Sequence, residues 1–288
     1  LITIITPTWD WDRTLAQITK HRELSKPLDH INIVVWSGAP VDEPDETSEM
    51  EAVIGAAVRE VKVESDLQGL KLAVCKQHLP PVTAMYVGAQ MALHHNPTNL
   101  LMFLHDDVEI LQPGWEVGIE RFFASRPFVG LAGFGGATGL GRDDIYKADY
   151  ELQQLIRIGY ASNADDWFDH GALLIGPRRV AVIDGLCMIF RPQAYLSIGG
   201  WLPCVRDSRI PFHMYDAWAC LKMAQTKRWQ TWALPIKFHH QGGGTSVKFG
   251  EEYESMVKGL GFESGQALFE FAHKSIYVQF QDVLPLRV

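Results

Sequence analysis

The chain has 288 residues, 47 % of them hydrophobic and 21 % charged, with a formal net charge of -8. That balance excludes bulk disorder and suits one large α/β domain or two small ones. The acidic total disfavours DNA or RNA as the main partner, because domains that live on nucleic acid are usually basic. The longest apolar candidate for a membrane span, 171–190, is cut by Arg178, Arg179 and Asp184, whereas a span needs roughly 18 uninterrupted residues.

The four cysteines (Cys75, Cys187, Cys204, Cys220) form no CxxC pair, so reduced, buried thiols and a cytoplasmic location are expected. The first residue, Leu1, lies in a strand-like run with no initiator Met or charged signal region, which leaves room for an upstream segment.

Residues 1–6 are a β-branched run, read as a central first strand that ends at Pro7-Thr8-Trp9-Asp10. Asp12 is placed to cap a helix over about 13–24. A second strand, 30–36, turns at Ser37-Gly38-Ala39-Pro40. An acidic surface loop (41–50), a short helix (51–58) and a short third strand (60–64) follow. Pro80-Pro81 opens a helix over about 82–94, since Pro is tolerated in the first turn. Residues 100–104 are an unbroken apolar run after the turn signal Asn96-Pro97-Thr98-Asn99, which reads as a strand buried on both faces. The alternation of strands and helices predicts an α/β fold with a mostly parallel twisted sheet flanked by helices.

Further on, a helix is expected over about 115–123 and a strand over 129–134. The glycine-rich stretch 133–141 does not match the GxGxxG dinucleotide pattern and reads as a mobile loop. A helix is expected over 148–158. Residues 179–191 read as a strand pair or one long bent strand, with Asp184-Gly185 at the point where glycine marks a bulge or a close approach by ligand. A short helix (192–198), a helix over 214–225 that begins near Asp216, a strand over 231–238 and two helical stretches (251–260 and 264–273) complete the chain.

Chemistry concentrates where the 100–104 strand runs into His105, Asp106 and Asp107. In open α/β sheets, ligands bind at the carboxyl ends of strands. Two adjacent carboxylates repel unless a cation lies beside them, and a hard divalent metal that also grips phosphate oxygens commonly fills that role. A solvated Asp-Asp turn accounts for the local pattern equally well. Asp216 has a plain alternative as a helix N-terminal residue favoured by the dipole, and the His239-His240 pair has one as solvated or hydrogen-bonded imidazoles.

In sequence order these segments resemble the family 2 glycosyltransferases of the GT-A type. Ile4-Ile5-Thr6-Pro7-Thr8 resembles the family's first strand and nucleotide-contacting turn. Phe103-Leu104-His105-Asp106-Asp107-Val108 resembles its Asp-x-Asp metal motif. Val182-Ile183-Asp184-Gly185-Leu186-Cys187 and Ile198-Gly199-Gly200-Trp201 resemble the acceptor-side strand and its Gly-Gly-aromatic turn. Met214-Tyr215-Asp216-Ala217-Trp218 resembles the segment with the catalytic Asp, and Phe238-His239-His240-Gln241-Gly242-Gly243 the late His that completes the metal site. The resemblance covers about 1–246.

It implies a GT-A-like domain over 1–246, with a nucleotide-sugar half (1–110) and an acceptor half (111–246), and a C-terminal helical extension (247–288) packed on the same domain. The implied activity moves a sugar from a nucleotide-diphosphate sugar, a UDP-sugar first, to an acceptor hydroxyl. The implied donor contacts are Thr6, Pro7, Thr8, Trp36, Asp106, Asp184 and Gly185. The implied metal ligands are Asp107 with His239 or His240, and imidazole ligation favours Mn²⁺ over Mg²⁺. Asp216 is the implied general base, a role worth typically about 10²–10⁴-fold; set opposite the leaving group, it inverts the anomeric centre.

Two departures stand out. His105 occupies the first position of the Asp-x-Asp motif. Val35-Trp36-Ser37-Gly38 stands where the family usually has Asp-Asp-Gly-Ser, so the usual base-contacting carboxylate is missing and Trp36 becomes a candidate to stack on the nucleobase.

Three other readings fit parts of the pattern. A nucleotidyltransferase would carry a basic glycine-rich loop after the first strand, which Thr6-Pro7-Thr8-Trp9-Asp10 is not. A phosphohydrolase would use His105-Asp106 as a metal pair, normally on helices. A non-catalytic nucleotide-sugar-binding protein would suit the 9 Trp, 8 Tyr and 14 Phe. The acceptor is unassigned: 141–167 and 248–288 carry no readable motif, a lipid acceptor is disfavoured without a basic amphipathic helix, and a nucleic acid acceptor is disfavoured by charge.

Overall fold

The computed structural model describes residues 1–25, 30–40, 59–61, 69–141, 157–164, 172–206, 212–242, 249–284 and 286–288. The expected loop 41–50, the helix 51–58 and most of the expected helix 148–158 lie outside them.

The first stretch of chain forms β1 (Ile2–Thr8), α1 (Trp11–Leu24), β2 (His30–Ser37), β3 (Arg59–Val61), β4 (Leu70–Cys75), α2 (Pro81–His95), β5 (Leu100–Leu104) and β6 (Val108–Ile110). After these come α3 (Trp115–Ala124), β7 (Val129–Gly133), β8 (Gly135–Leu140), β9 (Arg157–Ser162), β10 (Ala172–Leu173), β11 (Arg178–Arg179), β12 (Val182–Ile183) and β13 (Cys187–Phe190). The remainder is α4 (Pro192–Ser197), α5 (Leu202–Arg206), α6 (Tyr215–Gln225), β14 (Gln230–Ala233), β15 (Phe238–His240), α7 (Gly250–Gly259), α8 (Gly265–Gln279) and β16 (Leu286–Arg287).

A nine-stranded sheet runs in the order β11-β14-β7-β13-β5-β1-β2-β4-β3. β1 pairs in parallel with both β2 and β5, and β2 with β4. β13 enters antiparallel between β5 and β7, so β7 and its parallel partner β14 point the same way as β5. The expected mixed α/β architecture with a mostly parallel sheet is therefore present; β3, β11 and β13 are the strands that run against it. All five residues of β5 are buried, as a strand covered on both faces requires.

Side-chain alternation along the strands splits the core into two layers. Ile5, Val35 and Phe103 pack towards α2 through Val87 and Met91. Ile4, Met102 and Leu104 pack towards α3 through Ile119, Phe122 and Phe123. Gly88 lets α2 approach the sheet closely, since a Cβ there would collide with Ile5.

Several local expectations need correction. The cap of α1 is Asp10, whose carboxylate accepts the Arg13 amide at 3.3 Å; Asp12 lies inside the first turn. β4 has no counterpart among the expected elements; it pairs antiparallel with β3, while 62–64 of the expected third strand lie outside the described residues. Residues 157–158 belong to β9 rather than to a helix.

The glycine-rich stretch is no loop. It finishes β7 and forms β8, a mostly buried strand of a second sheet ordered β10-β9-β8-β12, with β16 also on β8. A Cβ on Gly133 would lie 2.6 Å from the Cys187 carbonyl oxygen, and one on Gly136 2.5 Å from that of Val182. The glycines are there because neighbouring backbone comes too close for a side chain, a use of glycine that composition alone does not separate from flexibility. Residues 179–191 divide instead among three strands: Arg179 ends β11, β12 pairs with β8 in the second sheet and β13 with β5 and β7 in the first, so they are neither a mutual strand pair nor one bent strand.

The last helices bring Val257 and Leu268 into a cluster with Trp9 and Phe212. Among the described residues no helix is long and apolar enough to cross a membrane, and all four cysteines are buried thiols.

Candidate metal centre

The centre is built where β5 stops. His105 donates its amide to the Leu186 carbonyl at 3.0 Å, and a turn over 105–108 closes as the Val108 amide meets the His105 carbonyl at 3.3 Å. β6 then pairs antiparallel with β15, setting His240 opposite Val108 and His239 opposite Glu109. One further bond, Gln241 N–H to the Asp107 carbonyl at 3.0 Å, extends this ribbon past the turn.

This ribbon delivers a late imidazole to the early acidic pair. His240 Nε2 lies 3.4 Å from Asp107 Oδ1, and His105 Nδ1 lies 4.0 Å from the same oxygen. Ligand atoms of His105, Asp107 and His240 all fall within 4.8 Å of one another. Asp107 Oδ1 is buried and closes no hydrogen bond of ordinary geometry among the described residues. One carboxylate between two imidazoles is a donor set that suits a divalent cation of borderline softness. The ribbon's alternation turns His239 to the opposite face from His240, and His239 is not in the cluster. The third member is instead His105, the residue that departs from the Asp-x-Asp pattern.

The two carboxylates have separate partners. Asp106 Oδ2 accepts from the Thr8 hydroxyl at 2.6 Å, and Asp106 Oδ1 pairs with Arg13 Nη2 at 2.7 Å. Burial pushes the Asp106 carboxyl up, and Arg13 and Thr8 oppose that shift. Burial also opposes ionisation of Asp107, but the His240 and His105 imidazoles, with Arg13, outweigh it and hold the carboxyl down at about 2. The cation required beside an Asp-Asp pair is thus supplied to Asp106 by α1.

The same helix clamps the whole turn. Arg13, Gln17 and His21 stand at i, i+4 and i+8 on one face. Gln17 Nε2 donates to the carbonyls of His105 and Val108, both at 2.6 Å. His21 Nε2 accepts the Ile110 amide at 3.0 Å, and Lys20 pairs with Glu109 at 2.7 Å. Sequence reading missed this polar inward face; the signal was present as Arg13-x₃-Gln17-x₃-His21, but nothing local says that such a stripe faces inward.

His21 yields a pH prediction. Burial first, then nearby His30, lower its pKa from 6.5 to about 3. The unfolded chain therefore takes up this proton before the folded one does. The stabilisation is complete above about pH 6.5 and erodes as pH falls towards about 3, at up to roughly 1.4 kcal/mol per pH unit. Urea midpoints are expected to drop between pH 7 and pH 5, and His21→Gln, which keeps an acceptor without a titrating ring, is expected to flatten that slope.

The other expected site residues fall as follows. Thr6, Pro7 and Thr8 form the carboxyl end of β1, in register with Val34, Val35 and Trp36 of β2. Trp36 stacks on Trp11, ring centroids 5.5 Å apart. Asp184 Oδ1 accepts the Leu186 amide at 3.2 Å, and the Tyr160 hydroxyl donates to Oδ2 at 3.3 Å. Gly185 abuts Tyr215, whose hydroxyl oxygen would stand 2.7 Å from a Cβ there. Asp216 is buried in the first turn of α6, with one carboxylate oxygen accepting the Ala217 amide at 2.7 Å. Its neighbour Tyr215 places its hydroxyl 2.7 Å from His105 Nε2, so the first turn of α6, the β12–β13 turn and the cluster meet at one place.

No protein-family profile matches the chain, and no relative is found among curated proteins. Solved structures similar to it include one described as GalNAc-T7 with UDP, GalNAc and Mn²⁺, at 10 % identity and a TM-score of 0.49, covering 89 % of this chain and 47 % of that one. Another is A197 from STIV, at 11 % identity and a TM-score of 0.39, covering 83 % of this chain and 85 % of that one. The chain spans about half the length of the GalNAc-T7 chain. Likenesses this distant establish neither family nor activity.

Proposed function

We propose that the protein is a metal-dependent glycosyltransferase of GT-A-like fold, moving a sugar from a nucleotide-diphosphate sugar, a UDP-sugar first, to an acceptor hydroxyl with inversion. The observation that carries this reading is the 3.4 Å approach of His240 Nε2 to Asp107 Oδ1 at the carboxyl end of β5, where an α/β sheet binds its ligands. Asp107, His105 and His240 would hold the cation, Mn²⁺ before Mg²⁺. When bound, the cation supplies Lewis-acid stabilisation of charge on the departing diphosphate.

The chain's own groups do the rest. Thr6, Pro7 and Thr8 line the donor side at the end of β1, and Asp106 acts there by holding Thr8 and Arg13 in place. Trp36 offers the nucleobase an aromatic surface already steadied by Trp11. Asp184 shapes the turn that brings Gly185 against the centre. Asp216, where the α6 dipole favours negative charge, accepts the acceptor hydroxyl's proton. His105-Asp106 leaves a strand rather than sitting on a helix, which weighs against the phosphohydrolase.

A second reading rests on the donor set itself. Two imidazoles and one carboxylate also suit a non-haem Fe(II) oxygenase.

The test is a nucleotide-sugar panel with Mn²⁺, reading thermal melting and nucleoside diphosphate release. A true donor at 100 times its Kd adds about 2.7 kcal/mol of stability, and only with the cation present. No response to any donor overturns the transferase; oxygen uptake that needs the protein, Fe(II) and an organic co-substrate together would favour the second reading.

A further inference from the structure

The Tyr215 hydroxyl is buried at the meeting point of three elements, and packing alone does not account for it. The ring is set by the core: Tyr215 is 6 % exposed and stands edge-on to Trp201, centroids 5.9 Å apart. A phenylalanine would fill that space equally well, and a buried hydroxyl is costly unless bonded. Its bond is to His105 Nε2 at 2.7 Å. Gly185 confines it from the other side, where any Cβ would force the hydroxyl to move. The residue before it, Met214, caps α6 in the left-handed region at φ 65, a conformation that a non-glycine residue holds only when its surroundings over-determine it.

We infer that Tyr215 is a positioning residue for the metal centre: its hydroxyl oxygen accepts the Nε2 proton of His105, which commits Nδ1, the nitrogen that faces Asp107, to metal binding. The inference rests on the metal reading given above. A ring nitrogen that ligates a metal must be bare, and the hydrogen bond made by the other nitrogen decides which one that is. Without a partner on Nε2, the proton can rest on Nδ1 and point at Asp107, and the ligand is lost. Since Tyr215 directly precedes Asp216 on the first turn of α6, the same bond also ties the proposed base to the donor side.

Mn²⁺ affinity can be read on the full chain from the loss of the free-ion EPR signal, beside the metal-free melting temperature. Tyr215→Phe is expected to weaken Mn²⁺ about 10- to 100-fold with little change in metal-free melting. Gly185→Ala, which displaces the hydroxyl without removing it, is expected to shift affinity in the same direction. Wild-type affinity in Tyr215→Phe overturns the inference and leaves the metal centre standing. Absence of Mn²⁺ binding in the wild type overturns the metal reading, and this inference with it. A spectroscopic check needs no variant: long-range ¹H–¹⁵N correlations of the Zn²⁺-loaded wild type are expected to show the Nε2–H tautomer at His105, and an Nδ1–H tautomer there overturns the proposal.

Discussion

Asp107→Asn is expected to abolish metal-dependent sugar transfer and also to lower the stability of the metal-free protein at neutral pH. The variant keeps the side-chain shape and removes the charge. In the native chain that charge sits buried at the end of β5, with its pKa held to about 2 against burial by the His240 and His105 imidazoles and Arg13. Without the cation's hold on the leaving group, several kcal/mol of transition-state stabilisation disappear, or roughly 10²- to 10⁴-fold in rate. The metal-free fold also loses something, because a carboxyl held below its ordinary pKa is one whose charge the fold stabilises, and that stabilisation is present above about pH 4 and lost as pH falls towards about 2. Mn²⁺ titration and nucleoside diphosphate release check the first half, and melting without metal checks the second. A variant that still turns over at more than about a tenth of the wild-type rate with Mn²⁺ would remove Asp107 from the centre.

Asp216→Asn should separate binding from chemistry. Asparagine can still accept the Ala217 amide that one carboxylate oxygen now accepts at 2.7 Å, so the first turn of α6 keeps its local bond. It cannot take a proton from an attacking hydroxyl. Loss of a general base typically lowers the rate by about 10²–10⁴-fold. The expected result is therefore a fall in kcat of that order, with the Mn²⁺-dependent thermal shift from the donor unchanged. Loss of both together would make Asp216 a structural residue of α6. Loss of neither would place the base elsewhere.

Several elements were legible because their signal is local. β1, β2 and β5 announce themselves as short runs of β-branched and large apolar residues bounded by turn residues, and the structure buries β5 on both faces as the unbroken Leu100–Leu104 run demands. β4 went unread because Leu70–Cys75 includes Lys71 and lies between stretches with no periodicity. The glycines of β8 resemble a flexible loop in sequence, whereas in the fold they answer the close approach of the Cys187 and Val182 carbonyls. Within the site, Asp107 and His240 were both named from sequence and do come together. His105 joins them in the candidate cluster and His239 does not, since only the register of the β6–β15 ribbon says which imidazole faces Asp107.

What the sequence determined by itself was the alternation of strands and helices and the arrival of carboxylates at the end of a buried strand. Both are written in residues within a few positions of each other, where side-chain periodicity and turn chemistry act. What only the tertiary structure decided was the company those carboxylates keep. Arg13, Gln17 and His21 reach the turn because α1 lies across it, His240 because an antiparallel ribbon folds it back, and Tyr215 because α6 begins against Gly185. Each of these contacts depends on strand register and helix placement across long stretches of chain, which no local pattern of residues encodes.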